Sequence, residues 1–387
     1  MFLATDVVTS YSKSTGHDLP VDELKLPADF KWGVATAALQ IEGGADQDGK
    51  GKSIWDTFSH LDPSRTNNEN PDVSCNHYNL WEEDVELLSH LGTDVYRFSI
   101  AWSRIIPLGG RDDPRRNVEP VVTLYHWDAP QELYSRYKAF LNTEEFTADF
   151  ENYARLCFSR FGDRVKKWIT FNEPYIISIF GHHSGVLAPG HNKETRFDTK
   201  TEPWRVGHTL ILSHAAAVKI YHRDKQADID AAERRLIFYI GCSLRRNREL
   251  LRETAPLNAF LRHESLLDQE TSENCDGIEI GPASGFQWLR VAPGGFRKLM
   301  KWVWNRYHLP IIVTENGFND TFRQRYIGLY LDAISRAIYE DQVQVLGYYV
   351  WSLMDNFEWS AGYAPRYGIV HTDYTTSKRT PKDRLII

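Results

Sequence analysis

Two glutamates each stand at the end of an apolar run of the sequence. If such runs form the strands of a barrel, their ends are the positions that carry functional side chains. Glu173 closes the run Trp168-Ile-Thr-Phe-Asn, and Pro174 follows it. Glu315 closes the run Ile311-Ile-Val-Thr, and Asn-Gly follows it. Two carboxyl groups about 5–5.5 Å apart cleave a glycosidic bond with retention, and a wider pair inverts. A single strand-terminal glutamate is more often a cap or an ion-pair partner, so the matched pair carries the prediction.

The segments around these glutamates alternate between short apolar runs and stretches of helical spacing, which is typical of strand–helix units around a parallel sheet. This rhythm predicts an α/β fold, a (β/α)8 barrel of the TIM type, whose strand ends would build the site. The predicted strands are Phe30–Ala38, Val95–Ile100, Val121–Tyr125, Val165–Phe171, Pro310–Thr314 and Val345–Val350. The predicted helices are Trp81–Leu91, Phe146–Phe161, Trp204–Tyr221 and Phe322–Glu340.

Residues 226–285 interrupt this rhythm. Lys225–Arg235 is charged, and only Leu236–Ile240 and Gly277–Ile280 offer strand-like runs there. A barrel needs more, because a sheet that lacks strands exposes edges that must be paired or covered. The sequence therefore leaves open whether the barrel closes around strands 5 and 6.

Composition and charge narrow the class of protein. The chain has 387 residues, 42% of them hydrophobic, and a formal net charge of −7, which disfavours a nucleic-acid or anionic membrane surface. We expect residues 1–26 to be a flexible extension and residues 27–387 to form one domain. The four cysteines lack metal-ligand spacing, and no cofactor or metal is predicted. The first 25 residues lack the pattern of a secretory leader, and no run has membrane-spanning length, so a cytoplasmic location is expected.

The motifs of the chain resemble one family as a set. They include Phe30-Lys-Trp-Gly-Val-Ala-Thr-Ala, Gln40-Ile-Glu-Gly, Tyr96-Arg-Phe-Ser, Leu124-Tyr-His-Trp, Thr170-Phe-Asn-Glu-Pro, Thr314-Glu-Asn-Gly and Trp351-Ser-Leu-Met-Asp-Asn-Phe-Glu-Trp. In this order they are similar to glycoside hydrolase family 1, especially its fungal intracellular β-glucosidases. The resemblance runs from Phe30 to Tyr374 and implies a retaining β-glycosidase that takes a small β-glucoside or a short oligosaccharide.

The resemblance also implies roles for individual residues. Glu173 matches the general acid/base and Glu315 the nucleophile, whereas Asn172 matches the residue that binds the sugar 2-hydroxyl. Arg97 matches a residue beside the nucleophile, although an ordinary ion pair in the barrel interior is the alternative. The residues that match the grip on the innermost sugar are Gln40, His126, Trp351, Glu358 and Trp359. Without the motifs, His126 would more often be a core histidine, and the two tryptophans would equally well be core residues. His182 and His183 match no catalytic position and are expected in a loop near the entrance.

The sequence departs from the family in several places. The fifth strand is missing between Lys225 and Ala231, and Cys242–Glu264 resembles nothing in the family where a sixth strand would follow. In the family, a tyrosine of that strand hydrogen-bonds the nucleophile. Two other functions therefore stay open: a catalytically impaired, sugar-binding barrel, and a transglycosidase in which an alcohol replaces water. The carboxylate of Glu358 argues against a phosphorylated sugar. The preferred sugar epimer, the aglycone and the oligomeric state are not predicted.

Overall fold

The fold was analysed in a computed structural model. It describes residues 25–109, 121–165, 167–195, 197–223, 235–237, 291–320 and 322–382. The predicted extension 1–26 and strand Gly277–Ile280 therefore lie wholly or mainly outside the described residues, as does the segment Cys242–Glu264. The division into an extension and one domain stays a prediction.

A single parallel sheet organises the molecule. The strand order is β5-β4-β3-β2-β1-β7-β6. Strands β1 to β5 are neighbours in chain order, and the late strands β7 and β6 continue the sheet on the other side of β1, as they do in a barrel. Among the described residues, every strand pair in this sheet is parallel. The strands are β1 (Lys31–Ala35), β2 (Val95–Ser99), β3 (Val121–Tyr125), β4 (Lys167–Phe171), β5 (Arg235–Ile237), β6 (Ile311–Asn316) and β7 (Val345–Trp351). The predicted barrel-type α/β fold is confirmed. Within the described residues, β5 and β6 end the sheet without pairing to each other.

Residues 225–231, where the fifth strand of the family is expected to be missing, lie outside the described residues, but the strand-like run that begins at Leu236 does contribute a strand. Arg235–Ile237 pairs in parallel with β4 and occupies the fifth position of the sheet. It overlaps the predicted run Leu236–Ile240 but is shorter and begins one residue earlier. This three-residue strand pairs with β4 at three positions, as many as join β1 to β2.

The helices follow the strands as the periodicity predicts, and local capping residues set their ends. Asn142 accepts a hydrogen bond from Glu145 N at the start of one long helix, and Gly92 adopts φ +68° where another ends. No helix in the described part of the chain combines the length and apolar character needed to cross a bilayer. The helices are α1 (Ala38–Ile41), α2 (Ile54–Leu61), α3 (His77–Leu91), α4 (Trp102–Ile105), α5 (Gln131–Tyr137), α6 (Thr143–Phe161), α7 (Pro174–His182), α8 (Glu202–Arg223), α9 (Pro293–Tyr307) and α10 (Arg323–Tyr339).

Two large hydrophobic clusters pack the helices against the sheet. The first core lies around β3, β4, α6 and α8 and is rich in aromatic rings, among them Tyr125, Phe150 and Trp168. The second core joins β1, β6 and β7 to α9 and α10, with Tyr330 and Ile334 at its centre. A C-terminal antiparallel hairpin of β8 (Val370–Thr372) and β9 (Arg379–Pro381) completes the described fold. The two cores support opposite ends of the open sheet.

Candidate active site

Glu173 lies between β4 and α7, at the carboxyl end of its strand. Its backbone is in the left-handed region, with φ +43°, and Pro174 begins the helix that follows. A non-glycine residue in this region is strained, and such strain tends to occur at functional sites. The side chain makes no capping hydrogen bond to α7, so the carboxyl is not used to satisfy the helix end.

Glu315 lies inside β6, whereas the predicted strand ended one residue before it. Gly317 directly follows the last residue of β6 and lies close to the backbone of β7. A Cβ atom on Gly317 would lie 1.7 Å from the carbonyl oxygen of Trp351, so only glycine allows this approach of the two backbones. The side chain of Glu315 is 18% exposed, so the protein does not fully enclose it.

Arg97 connects the two glutamates. Its fully buried guanidinium donates from Nη1 to Glu315 Oε2 at 2.5 Å and to the Thr314 carbonyl at 3.1 Å. Nη2 donates to Asn172 Oδ1 at 2.8 Å. Asn172 directly precedes Glu173, so one cation on β2 contacts both the nucleophile candidate and the neighbour of the acid/base candidate. The ion pair of Arg97 in the barrel interior is therefore the same contact as the one with the nucleophile candidate Glu315.

The hydrogen bonds of Asn172 also define the protonation of His126. Because an arginine only donates, the side-chain oxygen of Asn172 faces Arg97 and its amide nitrogen faces His126 Nε2, at 3.1 Å. That ring nitrogen therefore accepts, and the proton is on Nδ1. Burial and the nearby Arg97 charge lower the pKa of His126 well below its ordinary value, so the ring is neutral. Among the described residues Nδ1 has no partner.

Gln40 supplies the complementary group. Its Nε2 donates to Asn356 Oδ1 and to the Phe357 carbonyl, both at 2.8 Å, which leaves Oε1 buried without a partner in the described part of the chain. A buried polar atom left unpaired costs about 1–3 kcal/mol. A ligand hydroxyl both donates and accepts, so it can satisfy Gln40 Oε1 as well as His126 Nδ1–H.

Aromatic rings form the wall next to these polar groups. His126 lies roughly parallel to Trp351 and to Trp359, with ring centroids 5.8 Å and 5.9 Å away. Trp351 Nε1 donates a long hydrogen bond, 3.4 Å, to Glu358 Oε1. Burial raises the pKa of Glu358 to about 8. The structure thus brings the predicted sugar-gripping residues together with Arg97 and the two glutamates.

The electrostatics of the site separate the two candidate carboxyls. Glu173 is partly exposed as a residue, but its carboxyl is surrounded by protein. Burial, together with the negative charge of Glu315, raises the pKa of Glu173, and Arg97 opposes part of this rise. A proton is therefore held on Glu173, while Glu315 accepts the short hydrogen bond from Arg97. One protonated and one ionised carboxyl are what acid-assisted displacement at a glycosidic bond requires.

Sequence reasoning missed some structural features next to the site. Trp127 ends the motif Leu124-Tyr-His-Trp, which predicts no role for it, but its indole donates to the Asn172 carbonyl at 3.1 Å. The expectation that His182 lies in a loop is wrong, whereas His183 lies in the turn that follows α7. His182 is the last residue of α7 and is buried, with Nε2 bonded to the Tyr134 hydroxyl at 2.9 Å, and His183 caps the helix. In the described ranges no cluster of His, Cys, Asp or Glu could hold a metal ion.

A parallel barrel-type sheet, two carboxyls at its strand ends and a cluster of polar and aromatic side chains beside them are the features that a glycoside hydrolase site requires. Comparison with known proteins gives the family. The model of glycosyl hydrolase family 1 matches residues 22–233 and 256–385. The chain therefore belongs to glycosyl hydrolase family 1, and the predicted resemblance is confirmed. The strand β5 lies in the stretch that the family model leaves unmatched.

Individual relatives agree with the family match. Beta-glucosidase 1B of Phanerodontia chrysosporium is 39% identical, over 93% of this chain and 84% of the relative. A family 1 β-glucosidase from the fungus Humicola insolens, solved in complex with glucose, superposes with a TM-score of 0.79 at 34% identity, covering 93% of this chain and 97% of that one. A rice β-glucosidase variant in a covalent complex with Glc has a TM-score of 0.78 at 32% identity, covering 92% and 96%.

The first of these alignments also bears on the missing segments. It extends over 453 positions, more than the 387 residues of the chain. The relative therefore has segments that this chain lacks, as the departures from the family pattern predict. All of the predicted site residues are nevertheless present in this chain.

Proposed function

We propose that the chain is a retaining β-glucosidase that acts by double displacement, with Glu315 as nucleophile and Glu173 as acid and then base. Glu315 attacks the anomeric carbon while Glu173 gives its proton to the leaving oxygen, and the glycosidic bond breaks. Water then attacks the glycosyl–Glu315 ester as Glu173 takes up the water proton, which releases glucose with retained configuration. The observation that carries this proposal is the double contact of Arg97 with Glu315 and with Asn172, the residue next to Glu173.

The pocket supports an unmodified terminal β-glucosyl group as the substrate. His126 Nδ1–H and Gln40 Oε1 are a donor and an acceptor that have no partner among the described residues, and Trp351 and Trp359 provide apolar ring surface. Glu358 places an acidic group where a phosphate would need a cation. The glucose bound to the Humicola insolens relative supports the same sugar here.

A cytoplasmic site of action is also part of this proposal. Cys75 and Cys157 are buried free thiols, with a pKa for Cys75 raised by burial to about 12. Unpaired cysteines are usual in reducing compartments. Fractionation of the native host cell, with the protein detected by a specific antibody, tests this location directly.

The mechanism is tested with Glu315→Gln and Glu173→Gln, assayed on an activated aryl β-glucoside and on an alkyl β-glucoside. Glu315→Gln should abolish turnover of both. Glu173→Gln should lower kcat/KM for the alkyl glucoside by about 10²–10⁴-fold, the usual contribution of a general acid, and much less for the activated one. Since protonated Glu173 is the active form in the first step, the wild-type kcat/KM should fall as pH rises through its raised pKa, and Glu173→Gln should lose that dependence.

Unchanged hydrolysis in either variant would contradict the assignment. Glucoside binding by the wild-type chain without any turnover would instead favour the impaired, sugar-binding barrel. Product analysis with added alcohol separates hydrolysis from transglycosylation, because only the latter gives an alkyl glucoside as the main product.

A further inference from the structure

Trp127 follows His126 just after β3 and adopts an unusual backbone conformation. Its φ is +74°, in the region that residues with a side chain rarely occupy. The conformation turns the indole toward the end of β4, where Nε1 donates to the carbonyl oxygen of Asn172 at 3.1 Å. The strained backbone and the hydrogen bond together indicate a residue held for a purpose beyond packing.

The accepting carbonyl belongs to the peptide unit that joins Asn172 to Glu173. Rotation of this unit changes φ of Glu173, which is itself at +43°, and so swings the carboxyl. The indole contact fixes one side of the unit. The preceding peptide unit, between Phe171 and Asn172, is held as well, because the Asn172 N–H donates to the Tyr125 carbonyl at 2.9 Å.

With this contact, all four polar groups of Asn172 have partners. Its side-chain oxygen accepts from Arg97 and its side-chain nitrogen donates to His126. Its backbone N–H and carbonyl bond to Tyr125 and Trp127. Hydrogen bonds in such a network support each other, and the loss of one frees the rest to move. The indole is the member that acts on the carbonyl next to Glu173.

We propose that Trp127 is a positioning residue for the acid step, which it serves by fixing the peptide between Asn172 and Glu173. The proposal rests on the proposed role of Glu173 as acid/base. In that step the O–H bond of Glu173 breaks, its proton moves to the glycosidic oxygen, and the bond from that oxygen to the anomeric carbon breaks. A displacement of about 1 Å in a reacting group costs on the order of 10²-fold in rate.

Trp55 provides a matched control. Its ring centroid lies 4.8 Å from that of Trp359, compared with 4.7 Å for Trp127, so both indoles pack on the same neighbour. The Nε1 of Trp55, however, has no hydrogen-bond partner in the described residues. Trp127→Phe removes packing and a hydrogen bond, whereas Trp55→Phe, at a fully buried ring, removes packing without a hydrogen bond to the described residues.

The test compares kcat/KM of wild type, Trp127→Phe and Trp55→Phe on a series of aryl β-glucosides with leaving groups of increasing pKa. The constant kcat/KM reports the first step, where the acid acts. Trp127→Phe should lose about tenfold or more on the poorest leaving groups and little on the best, so the dependence on leaving-group pKa steepens. Trp55→Phe should keep the wild-type slope. An equal loss on all substrates, or an unchanged slope, would overturn the proposal.

Two further variants keep the outcome interpretable. Glu173→Gln is measured on the same series of glucosides. If its kcat/KM depends on leaving-group pKa as weakly as that of wild type, the proposed function fails. If Glu173→Gln shows a steeper dependence but Trp127→Phe keeps that of wild type, only the role of Trp127 is overturned. If thermal melting shows that Trp127→Phe does not fold, Trp127→Met replaces it, because methionine fills irregular space without a strong donor. The same steepening is expected of Trp127→Met, and its absence would overturn the proposal.

Discussion

The two candidate catalytic glutamates are held by regions of different construction. Glu173 follows β4, inside the first core, and its neighbour Asn172 has a partner for every polar group. Glu315 lies on β6, the last described strand on its side of the sheet, where the register with β7 shifts twice. The short hydrogen bond to Glu315 comes from Arg97 on β2, at the other side of the barrel interior.

This difference shows how the site remains assembled although the described sheet is open. The acid/base side depends on a dense local network, and the nucleophile side depends on one long-range cation. Arg97 is fully buried and bonded to both sides, so it joins them through the interior rather than through the sheet. The molecule should therefore be most sensitive to the loss of Arg97 and less sensitive to local changes at either glutamate's strand.

Replacement of Arg97 by methionine is expected to have the largest effect on stability. The loss of one partner from a buried ion pair costs about 3–5 kcal/mol, because the remaining charge and polar groups stay buried without it. Arg97→Met should lower the free energy of unfolding by this amount and abolish turnover. Denaturant titration followed by intrinsic fluorescence measures the first, and an aryl glucoside assay the second.

The control for this change is Arg155→Met. Arg155 pairs with Glu151 four residues earlier on α6, and its side chain is 47% exposed. An exposed pair of this kind contributes about 0.3–0.5 kcal/mol. Equal free energies of unfolding for Arg97→Met and Arg155→Met would show that Arg97 does not join the Glu173 region to the Glu315 region.

A smaller effect is expected from Gly317→Ala, which perturbs the nucleophile region alone. The added methyl group would collide with the Trp351 carbonyl, so β6 and β7 must separate near Glu315. Forced packing of this size costs about 1–3 kcal/mol, and the displaced Glu315 should lower kcat on the order of 10²-fold. Thermal melting and steady-state kinetics measure the two effects.

Gly328→Ala is the matched glycine on α10 of the same region. A Cβ atom there meets nothing within 4 Å, and alanine in a helix interior is favoured over glycine by about 0.5–1 kcal/mol. This variant should be slightly more stable than wild type with unchanged kcat. Equal kinetics for the two glycine variants would mean that the close approach of β6 and β7 does not position Glu315.

Much of the barrel follows from the sequence because its strands are continuous apolar runs. The run Val121–Tyr125 became β3 with the same bounds. Glu315 was expected just after a strand because polar residues end the apolar run there, but backbone pairing with β7 continues to Asn316. The three-residue strand β5 is too short for a periodic pattern to specify its bounds, and its existence depends on pairing with β4.

Site residues that stand in a motif can be predicted from the sequence, whereas site residues defined by a contact between distant segments cannot. Arg97 and His126 stand in recognisable motifs, whereas the bond from Trp127 to the Asn172 carbonyl joins positions 45 residues apart and leaves no local pattern. His182 was misplaced for the same reason. Its partner Tyr134 is 48 residues away, and the apolar sequence around His182 does not reveal whether the ring is buried.

In the proposed mechanism, Glu315 forms a covalent bond to the sugar while Glu173 supplies the proton. This mechanism is tested most directly by incubation of the protein with an activated 2-deoxy-2-fluoro-β-D-glucoside, whose glycosyl–enzyme ester hydrolyses slowly, followed by proteolysis and mass spectrometry. One fluoroglucosyl group should be found on the peptide that contains Glu315, and none on the Glu315→Gln variant. A label on a different residue, or turnover of glucosides by a protein that never acquires the label, would contradict the mechanism.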